Sequence, residues 1–395
     1  MNRASLDTTL QSLESGARPK GGVTADSGEI PSLGGEHVNS DGGFDFTNVK
    51  RIPRCFFQSM RGGRIAVGDI LVVKDGATTG KTSLVRDDFP FAEAAVNEHV
   101  FCLRVDERKA LPSYVFHFLF SPRGQKAIQL DFRGATVGGI SREFASKVIL
   151  PLPPLAEQRR IAEVLDEADA LRFKRRAALT KLETLYHAMF LEMFGDPSAN
   201  QKGWRRKPIA SFGSVITGNT PSRAIPDYFG VEIEWIKSDN INTADHFLTR
   251  AEEGLSAKGK AVARIAPAGA ILVTCIAGSP DCIGNAAMTD REVAFNQQIN
   301  ALLPNSGNGH FLYGQLVVGK RLIQQASTSG MKGMVSKSRF EKILLMDPPI
   351  HLQHAFAIRA VCIERLARLY RASLDDLDAL FTSIQDGAFR VRMRE

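Results

Sequence analysis

The chain contains one stretch of sequence twice. It reads ISREFASKVILPLPPL over residues 140–155 and VSKSRFEKILLMDPPI over residues 335–350, and the two copies align without a gap. Each copy ends in Pro-Pro and runs directly into a segment in which apolar residues recur with a helical period. A repeat of roughly two hundred residues is far too long for a solenoid unit. The sequence therefore predicts a duplicated domain plus helix, with two similar heads related by an approximate internal twofold.

Weaker matches extend the repeat into both heads. They are GARP (16–19) with GNTP (218–221), GDILV (68–72) with GAILV (269–273), and AVNEH (95–99) with AFNQQ (294–298). The matched positions are turn formers and strand hydrophobics, which a shared fold requires. The residues between them differ almost completely. One scaffold with two different surfaces indicates two different recognition tasks.

Each head has the pattern of a mixed α/β domain. Strands are predicted at 65–73 and 96–105 of the first head and at 265–275 and 293–303 of the second, because these runs are rich in β-branched residues. Amphipathic helices are predicted at 114–129 and 311–326.

The segments that follow Pro-Pro have a different pattern. Residues 155–194 contain no proline or glycine, and their apolar residues recur at alternating intervals of three and four, as in a coiled coil. The predicted seam consists of Ile161, Val164, Leu165, Ala168, Leu171, Ala178, Leu179, Leu182, Leu185, Met189 and Met193, and in the second copy of Phe356, Ile363, Leu366, Tyr370, Leu377, Leu380 and Ile384. Each stripe needs a partner, and the nearest partner is its own copy. The alternative is two ordinary core helices, each packed on its own head.

The predicted fold class is α+β, with two mixed α/β domains separated by two long helices in an antiparallel coiled coil. The predicted segments are 1–150 for the first head, 151–196 for the first helix, 197–347 for the second head, and 348–395 for the second helix and tail.

Bulk properties restrict the class of protein. The chain of 395 residues has room for two cores, and its net charge of +7 and pI near 9.2 suit nucleic-acid binding or a solvated basic surface. The five cysteines form neither a disulfide framework nor a zinc pattern. Neither a secretory signal nor an apolar run long enough to span a bilayer is present, so we expect a cytoplasmic protein without membrane contact.

One glycine-rich loop suggests a competing function. Residues 76–82 (GATTGKT) resemble a phosphate-binding P-loop, although only three residues separate the glycines instead of four. A nucleotide-dependent enzyme that uses this loop therefore remains an alternative, as does a helical scaffold that does not bind DNA.

The run LPLPPLAEQRRI (150–161) closely resembles a characteristic stretch of Type I restriction–modification specificity subunits. The order of domain, helix, domain and helix is similar over the whole chain. GNTPS (218–222) resembles the loop that opens recognition domains of that family, and EWIKSDNI (234–241) resembles the strand and loop that follow it. Two departures occur. The second copy keeps Gln353 but lacks the Glu-Gln-Arg-Arg cluster. The first head has no counterpart of Trp204, which indicates either a shortened first domain or a misassigned start of the sequence.

This resemblance implies a non-catalytic subunit that reads double-stranded DNA. Each head would read one half of a split, asymmetric target in the major groove, and the helices would pair as a spacer. The subunit would recruit two methyltransferase subunits and, through them, ATP-driven restriction (translocase) subunits. It would bind no cofactor itself, since S-adenosylmethionine, ATP and Mg²⁺ would be used by the other subunits.

Candidate DNA contacts lie in polar turns and in the segments that carry the resemblance, where donors and acceptors can reach bases and phosphates. They are Arg18, Lys20, Lys74, Thr78, Thr79, Lys81, Arg133 and Arg142 in the first head, and Thr220, Ser222, Arg223, Lys237, Ser238, Asp239, Asn240, Ser279, Lys332 and Lys337 in the second. Candidate contacts to the protein partners are Glu157, Gln158, Arg159, Arg160 and Gln353.

Overall fold

The computed structural model describes residues 2–24, 26, 28–134, 138–328 and 333–390. The chain divides into two compact units. Unit 1 comprises the residues up to Arg175 together with those from Ser373 onward, and unit 2 comprises Arg176–Ala372.

The described residues of unit 1 form nine strands, four short α-helices and part of each long helix. The strands are β1 (Arg3–Ser5), β2 (Leu10–Ser15), β3 (Ile30–Leu33), β4 (Lys50–Ile52), β5 (Ile70–Val73), β6 (Thr82–Leu84), β7 (Ala95–Val96), β8 (Val100–Val105) and β9 (Ile149–Pro151). The helices are α1 (Arg54–Ser59), α2 (Pro112–Phe120), α3 (Pro122–Gln129), α4 (Phe144–Lys147) and the long α5 (Leu155–Phe194).

The elements of unit 2 follow the same order, with three additional two-residue strands at 265–266, 276–277 and 333–334. The strands are β10 (Arg206–Pro208), β11 (Gly213–Thr217), β12 (Phe229–Ile236), β13 (Gly254–Leu255), β14 (Ile265–Ala266), β15 (Ile271–Thr274), β16 (Ile276–Ala277), β17 (Ala286–Met288), β18 (Val293–Phe295), β19 (Ile299–Pro304), β20 (Gly333–Met334) and β21 (Leu344–Met346). The helices are α6 (Ala257–Val262), α7 (Gly309–Val318), α8 (Lys320–Gln325), α9 (Lys337–Lys342) and the long α10 (Ile350–Phe389).

The two units share their strand pairing. A four-stranded antiparallel sheet has the order β2-β8-β5-β6 in unit 1 and β11-β19-β15-β17 in unit 2. Ile70 faces Leu103 in the first, and Ile271 faces Leu302 in the second. A second sheet contains a parallel pair in both units, β3 with β7 and β12 with β18. Short pairs, β1 with β9 and β10 with β21, bring the start of each head beside its Pro-Pro end. The prediction of two similar mixed α/β domains is confirmed.

Several predicted elements are interrupted, at equivalent places in both units. The predicted strands 96–105 and 293–303 are each divided by a turn, in which the side chain of Asn97 or Asn296 accepts a hydrogen bond from the backbone two residues later. Only Ile70–Val73 of the predicted strand 65–73 is extended, and 265–275 forms two strands separated by a turn.

The predicted single helices after these strands are also wrong. Residues 114–129 form two helices because Pro122 has no N–H to continue the first, and Ser121 Oγ caps the second by accepting from Gly124 N at 3.2 Å. In unit 2 the corresponding division falls at Gly319.

The two long helices confirm the main prediction. Both contain 40 residues, and each unit packs the start of one against the end of the other, so they run antiparallel. Unit 1 buries Ile161, Leu165 and Ala168 of α5 with Phe381, Gln385 and Phe389 of α10, and unit 2 buries Phe356, Ala360 and Ile363 of α10 with Tyr186, Phe190 and Phe194 of α5. These are aligned positions of the repeat.

The predicted seam is only partly correct. Val164, Leu171 and Leu185 of α5 are exposed, as are Leu366 and Leu380 of α10. A strict seam assumes that a helix packs only on another helix, whereas each of these also packs on a head and buries a wider face. As a result, Tyr186, Phe190 and Phe194 enter the core, and so does the side chain of Arg172.

Candidate nucleic-acid interface

A polar turn in unit 2 brings two predicted DNA-contacting segments together. This turn, residues 296–298, connects β18 to β19. On one side Thr220 Oγ1 donates a hydrogen bond to Gln297 Oε1. On the other side the N–H of Ile276 donates to the carbonyl of Gln298 at 3.1 Å, which places the loop carrying Ser279 next to the turn. The loop after β11 and the loop after β16 therefore flank the same turn.

The close approach at this turn requires glycine. A Cβ atom built on Gly218 would lie 2.2 Å from the carbonyl oxygen of Asn296, well inside contact distance. Gly16 of unit 1 is in the same situation, since its Cβ would lie 1.6 Å from the carbonyl oxygen of Val96. The glycine of the repeated Gly-x-x-Pro motif thus allows the loop to cross the backbone of the neighbouring strand.

Two cations of unit 2 share one carboxylate beside an aromatic ring. Arg223 Nη2 lies 2.9 Å from Glu253 Oε2, and Lys237 Nζ lies 2.5 Å from Glu253 Oε1. Both cationic groups also lie over the Trp235 ring, at 5.6 and 5.4 Å from its centroid. The hydrogen bond from Lys237 holds the pKa of Glu253 below its ordinary value. The carboxylate is therefore ionised at neutral pH and compensates part of the local positive charge.

Unit 1 has the equivalent turn with different chemistry. Residues 97–99 connect β7 to β8, and Arg18 Nε pairs with Glu98 Oε1 at 2.5 Å where unit 2 has Thr220 and Gln297. Lys74 Nζ donates to the Glu98 carbonyl at 3.4 Å, and His99 Nδ1 lies 2.6 Å from Asp75 Oδ1. The Gly-x-x-Pro loop and the loop after β5 therefore meet at this turn.

The segment after β12 also has a counterpart that the sequence reading missed. The N–H of Lys237 donates to Asn240 Oδ1 at 3.0 Å, and the N–H of Gly34 donates to His37 Nδ1 at 2.9 Å. Each contact closes a short turn that follows the first strand of the parallel pair, β12 in unit 2 and β3 in unit 1. The signal was weak, because only the alignment of β3 with β12 relates the two turns. The sequence patterns also did not indicate Glu98, Gln297 or Glu253, although Glu98 and Gln297 lie in the repeated segments 95–99 and 294–298.

The remaining candidates of unit 1 lie in several different loops and turns. Thr78, Thr79 and Lys81 lie in the hairpin loop between β5 and β6, which Gln129 Nε2 contacts by donating to the Thr79 carbonyl at 3.0 Å. Arg133 pairs with Glu143 at 3.1 Å, so its charge is partly compensated. Lys20 and Arg142 are exposed.

In unit 2, Ser222, Asp239 and Ser279 are exposed, and Ser238 is half-buried at the start of the turn Ser238–Asn240. Lys337 pairs with Glu341 at 3.6 Å in the first turn of α9. The structure does not bring Lys337 to the 296–298 turn by any contact among the described residues. Lys332 lies outside the described residues.

The partner candidates fall into two groups. Glu157, Arg159 and Arg160 are on the surface of α5, where Arg160 Nη2 pairs with Glu157 at 2.8 Å. Gln158 and Gln353, by contrast, are buried, with 0% and 2% exposure. Their side chains form hydrogen bonds with backbone groups inside each unit. The prediction that these two residues contact a partner directly is therefore replaced by a structural role.

The glycine-rich loop 76–82 is not a P-loop. It joins two antiparallel strands, β5 and β6, and is followed by a strand rather than by a helix whose N-terminus could hold phosphate. The alternative of a nucleotide-dependent enzyme therefore loses its structural basis. Within the described ranges, no group of three or more His, Cys, Asp or Glu side chains is arranged to hold a metal ion. None of the helices described here is both long and apolar enough to cross a membrane.

Comparison with known proteins agrees with this architecture. The family model of the Type I restriction modification DNA specificity domain matches residues 10–183 and 201–359. The chain is 29% identical over 168 residues to the Type I restriction enzyme HindI specificity subunit of Haemophilus influenzae, a match covering 41% of this chain and 36% of that protein. It is 31% identical over 109 residues to the MjaIX specificity subunit of Methanocaldococcus jannaschii, covering 27% of this chain and 24% of the relative.

These matches span about a third or less of the length of the two curated relatives. The fold, in contrast, matches over nearly the whole chain. The crystal structure of the Type I restriction–modification S subunit from M. genitalium superimposes with a TM-score of 0.64 at 12% identity, covering 99% of this chain and 96% of that one. Because the family model covers most of the sequence in two successive copies, the chain belongs to the Type I restriction–modification DNA specificity domain family.

Proposed function

We propose that this chain is the non-catalytic specificity subunit of a Type I restriction–modification complex acting on cellular DNA in the cytoplasm. Residues 1–150 and 197–347 would be its two target-recognition domains, and residues 151–196 and 348–395 its spacer helices and tail. Each recognition domain would read one half of a split, asymmetric duplex target in the major groove.

The observation that carries this proposal is the contrast between the two equivalent turns. The scaffold is the same, but Arg18 and Glu98 of unit 1 stand where unit 2 has Thr220 and Gln297. A guanidinium, a carboxylate, a hydroxyl and an amide offer different patterns of donors and acceptors to base edges. Two turns that share one backbone arrangement but carry different side chains would read two different half-sites. The complete target would then be asymmetric.

The exposed faces of the long helices support a role in assembly. Apolar side chains are exposed there in both units, namely Val164, Leu171, Phe173 and Leu380 in unit 1 and Leu185, Leu191, Ile358, Val361, Leu366 and Leu369 in unit 2. Apolar groups at this density on a helix surface are typical of a binding surface. We infer that two methyltransferase subunits dock here, with Glu157, Arg159 and Arg160 at the rim, and recruit the restriction subunits. S-adenosylmethionine, ATP and Mg²⁺ would be bound by those partners.

The test is to express the chain with its methyltransferase partner in a host without other adenine methylation and to map modified adenines across the genome. The expected result is a single motif made of two short specified sequences separated by an unspecified spacer. Omitting this chain should abolish the modification. A continuous motif, or an unchanged motif without this chain, would overturn the proposal. Fluorescence anisotropy with labelled duplex tests the scaffold alternative, which predicts no DNA binding even with the methyltransferase present.

A further inference from the structure

The 296–298 turn, the Gly-x-x-Pro loop 218–221 and the segment after β12 are together called the reading edge of unit 2. The proposed function leaves Glu253, a charged group at this edge, unexplained. A carboxylate repels DNA phosphates, yet this one lies between two cations proposed to contact DNA, Arg223 and Lys237. Its side chain is 37% exposed, so it is accessible from the solvent that a duplex would displace.

The backbone places Glu253 at this point. Its carbonyl accepts a hydrogen bond from Trp235 N at 3.0 Å, next to the pairing of β12 with β13. The Trp235 ring is itself attached to the Gly-x-x-Pro loop, since its Nε1 donates to the Asn219 carbonyl at 3.2 Å. The carboxylate therefore belongs to the framework of the edge.

The two cations have no other anionic partner in the part of unit 2 that the structure describes. Arg223 and Lys237 each form one side-chain ion pair, and both pairs are with Glu253. Their remaining contacts are with aromatic rings, Phe229 and Trp235, which position a cation without neutralising it. Glu253 thus compensates one of two positive charges and holds both groups side by side.

A DNA phosphate has the same chemistry as this carboxylate. Both present anionic oxygens to a guanidinium or an ammonium group at hydrogen-bond distance. We propose that Glu253 is an internal counterion of the reading edge, which orients Arg223 and Lys237 in the free protein and gives way to a backbone phosphate when duplex DNA binds. This inference rests on the proposed function. It makes Glu253 a positioning residue that weakens sequence-independent binding and thereby increases the contrast between target and non-target DNA.

The test uses the full chain, a fluorescently labelled mixed-sequence duplex and a titration of KCl. Glu253→Gln keeps the shape but removes the charge, so both cations become available to phosphates. We expect this variant to bind mixed-sequence duplex about three- to tenfold more tightly at 0.1 M salt, with a plot of log Kd against log salt steeper by about one. Glu253→Asp keeps the charge and should retain the wild-type salt dependence.

Glu292→Gln is the matched control. Glu292 pairs with the half-buried Lys260 at 2.6 Å and lies before β18, whereas the 296–298 turn follows that strand. This control changes the net charge equally but should leave the salt slope unchanged. If Glu253→Gln left affinity and slope unchanged, or altered them no more than Glu292→Gln, the counterion role would be refuted while DNA binding by the wild type still stood. If the wild-type chain bound no duplex at low salt even with the methyltransferase present, both this inference and the proposed function would fail.

Discussion

Gln158 and Gln353 lie at aligned positions of the repeat and make the same two kinds of hydrogen bond. Gln158 Nε2 donates to the Pro153 carbonyl at 2.8 Å, and its Oε1 accepts from Leu111 N at 3.0 Å. Gln353 Nε2 donates to the Pro348 carbonyl at 2.8 Å, and its Oε1 accepts from Asn308 N at 2.9 Å. Each glutamine ties the Pro-Pro turn to the segment that precedes a helix of the head.

Replacing either glutamine with leucine should destabilise its unit. Each change leaves one buried carbonyl and one partly buried N–H without a partner, and a fully buried group of this kind costs about 1–3 kcal/mol. We therefore expect Gln158→Leu and Gln353→Leu each to lower the free energy of unfolding by about 2–4 kcal/mol, measured by urea unfolding. Arg159→Ala on the exposed face should change it by less than about 0.5 kcal/mol. Unaltered urea midpoints in both Leu variants would contradict the structural role.

The stability of unit 1 should depend on pH through Asp131, whose side chain has no exposed surface. Burial acts to raise the pKa of Asp131, but hydrogen bonds from Lys147 and Ser141 outweigh it and lower the pKa to about 2, from an ordinary value of 3.8. Because the folded-state pKa is depressed, the stabilisation is fully present above the unfolded-state pKa and is lost as pH falls toward the folded-state pKa.

Asp131→Asn should therefore be less stable than the wild type at neutral pH, and the difference should shrink between about pH 4 and pH 2. Thermal unfolding across that range measures it. Asp87→Asn, in an exposed loop of the same unit, is the control and should show no such trend. A stability difference that stays constant down to pH 2 would refute the assignment.

Lys81 should contribute to DNA affinity without contributing to sequence choice. Its side chain forms no ion pair or hydrogen bond among the described residues, while its backbone belongs to the β5–β6 hairpin. Lys81→Ala should weaken binding to every duplex by about three- to tenfold at 0.1 M salt and reduce the salt slope by about one. Anisotropy titrations at several salt concentrations measure both quantities.

Lys109→Ala is the matched control, since Lys109 follows β8 whereas the 97–99 turn precedes that strand. It removes the same charge and should have little effect. Equal losses in the two variants would show that only net charge matters.

Replacing the paired side chains at the 97–99 turn of unit 1 should change the recognition of one half-site only. The double variant Arg18→Thr with Glu98→Gln gives unit 1 the side chains that unit 2 carries at the equivalent positions. We expect methylation at the original target to fall by at least about tenfold, since a lost bidentate base contact or a misplaced donor costs about 1–3 kcal/mol. Genome-wide mapping of modified adenines should show a change in one half of the motif only. Loss of specification in both halves would argue against independent reading.

The length of the long helices should set the spacer of the target. Inserting one heptad after Ala178 in α5 and another after the aligned Ser373 in α10 adds about 10 Å of helix, which corresponds to about three base pairs. The motif should keep both half-sites and gain a longer spacer. An insertion in α5 alone should instead misalign pairs such as Arg172 with Asp378 and reduce methylation. An unchanged spacer in the double-insertion variant would remove the ruler role.

The duplication, the long helices and the family were all accessible from the sequence. Each depends on a pattern that is local in the chain or repeated along it. The Pro-Pro turn stops a strand and begins a helix, and the run from Leu155 to Phe194 contains no proline or glycine that would end that helix. The division of the predicted helix 114–129 at Pro122 was also predictable from the sequence, because proline has no N–H with which to continue a helix.

The composition of the reading edges was decided by the tertiary structure. Arg18 meets Glu98, and Thr220 meets Gln297, only because β2 pairs with β8 and β11 pairs with β19. The burial of Arg172 and Gln158 likewise depends on contacts with residues far away in the chain. Helical period and turn chemistry are properties of neighbouring residues, and the sequence displays them directly. Which side chain a given residue meets depends on strand register and packing, and these arise only when distant segments come together.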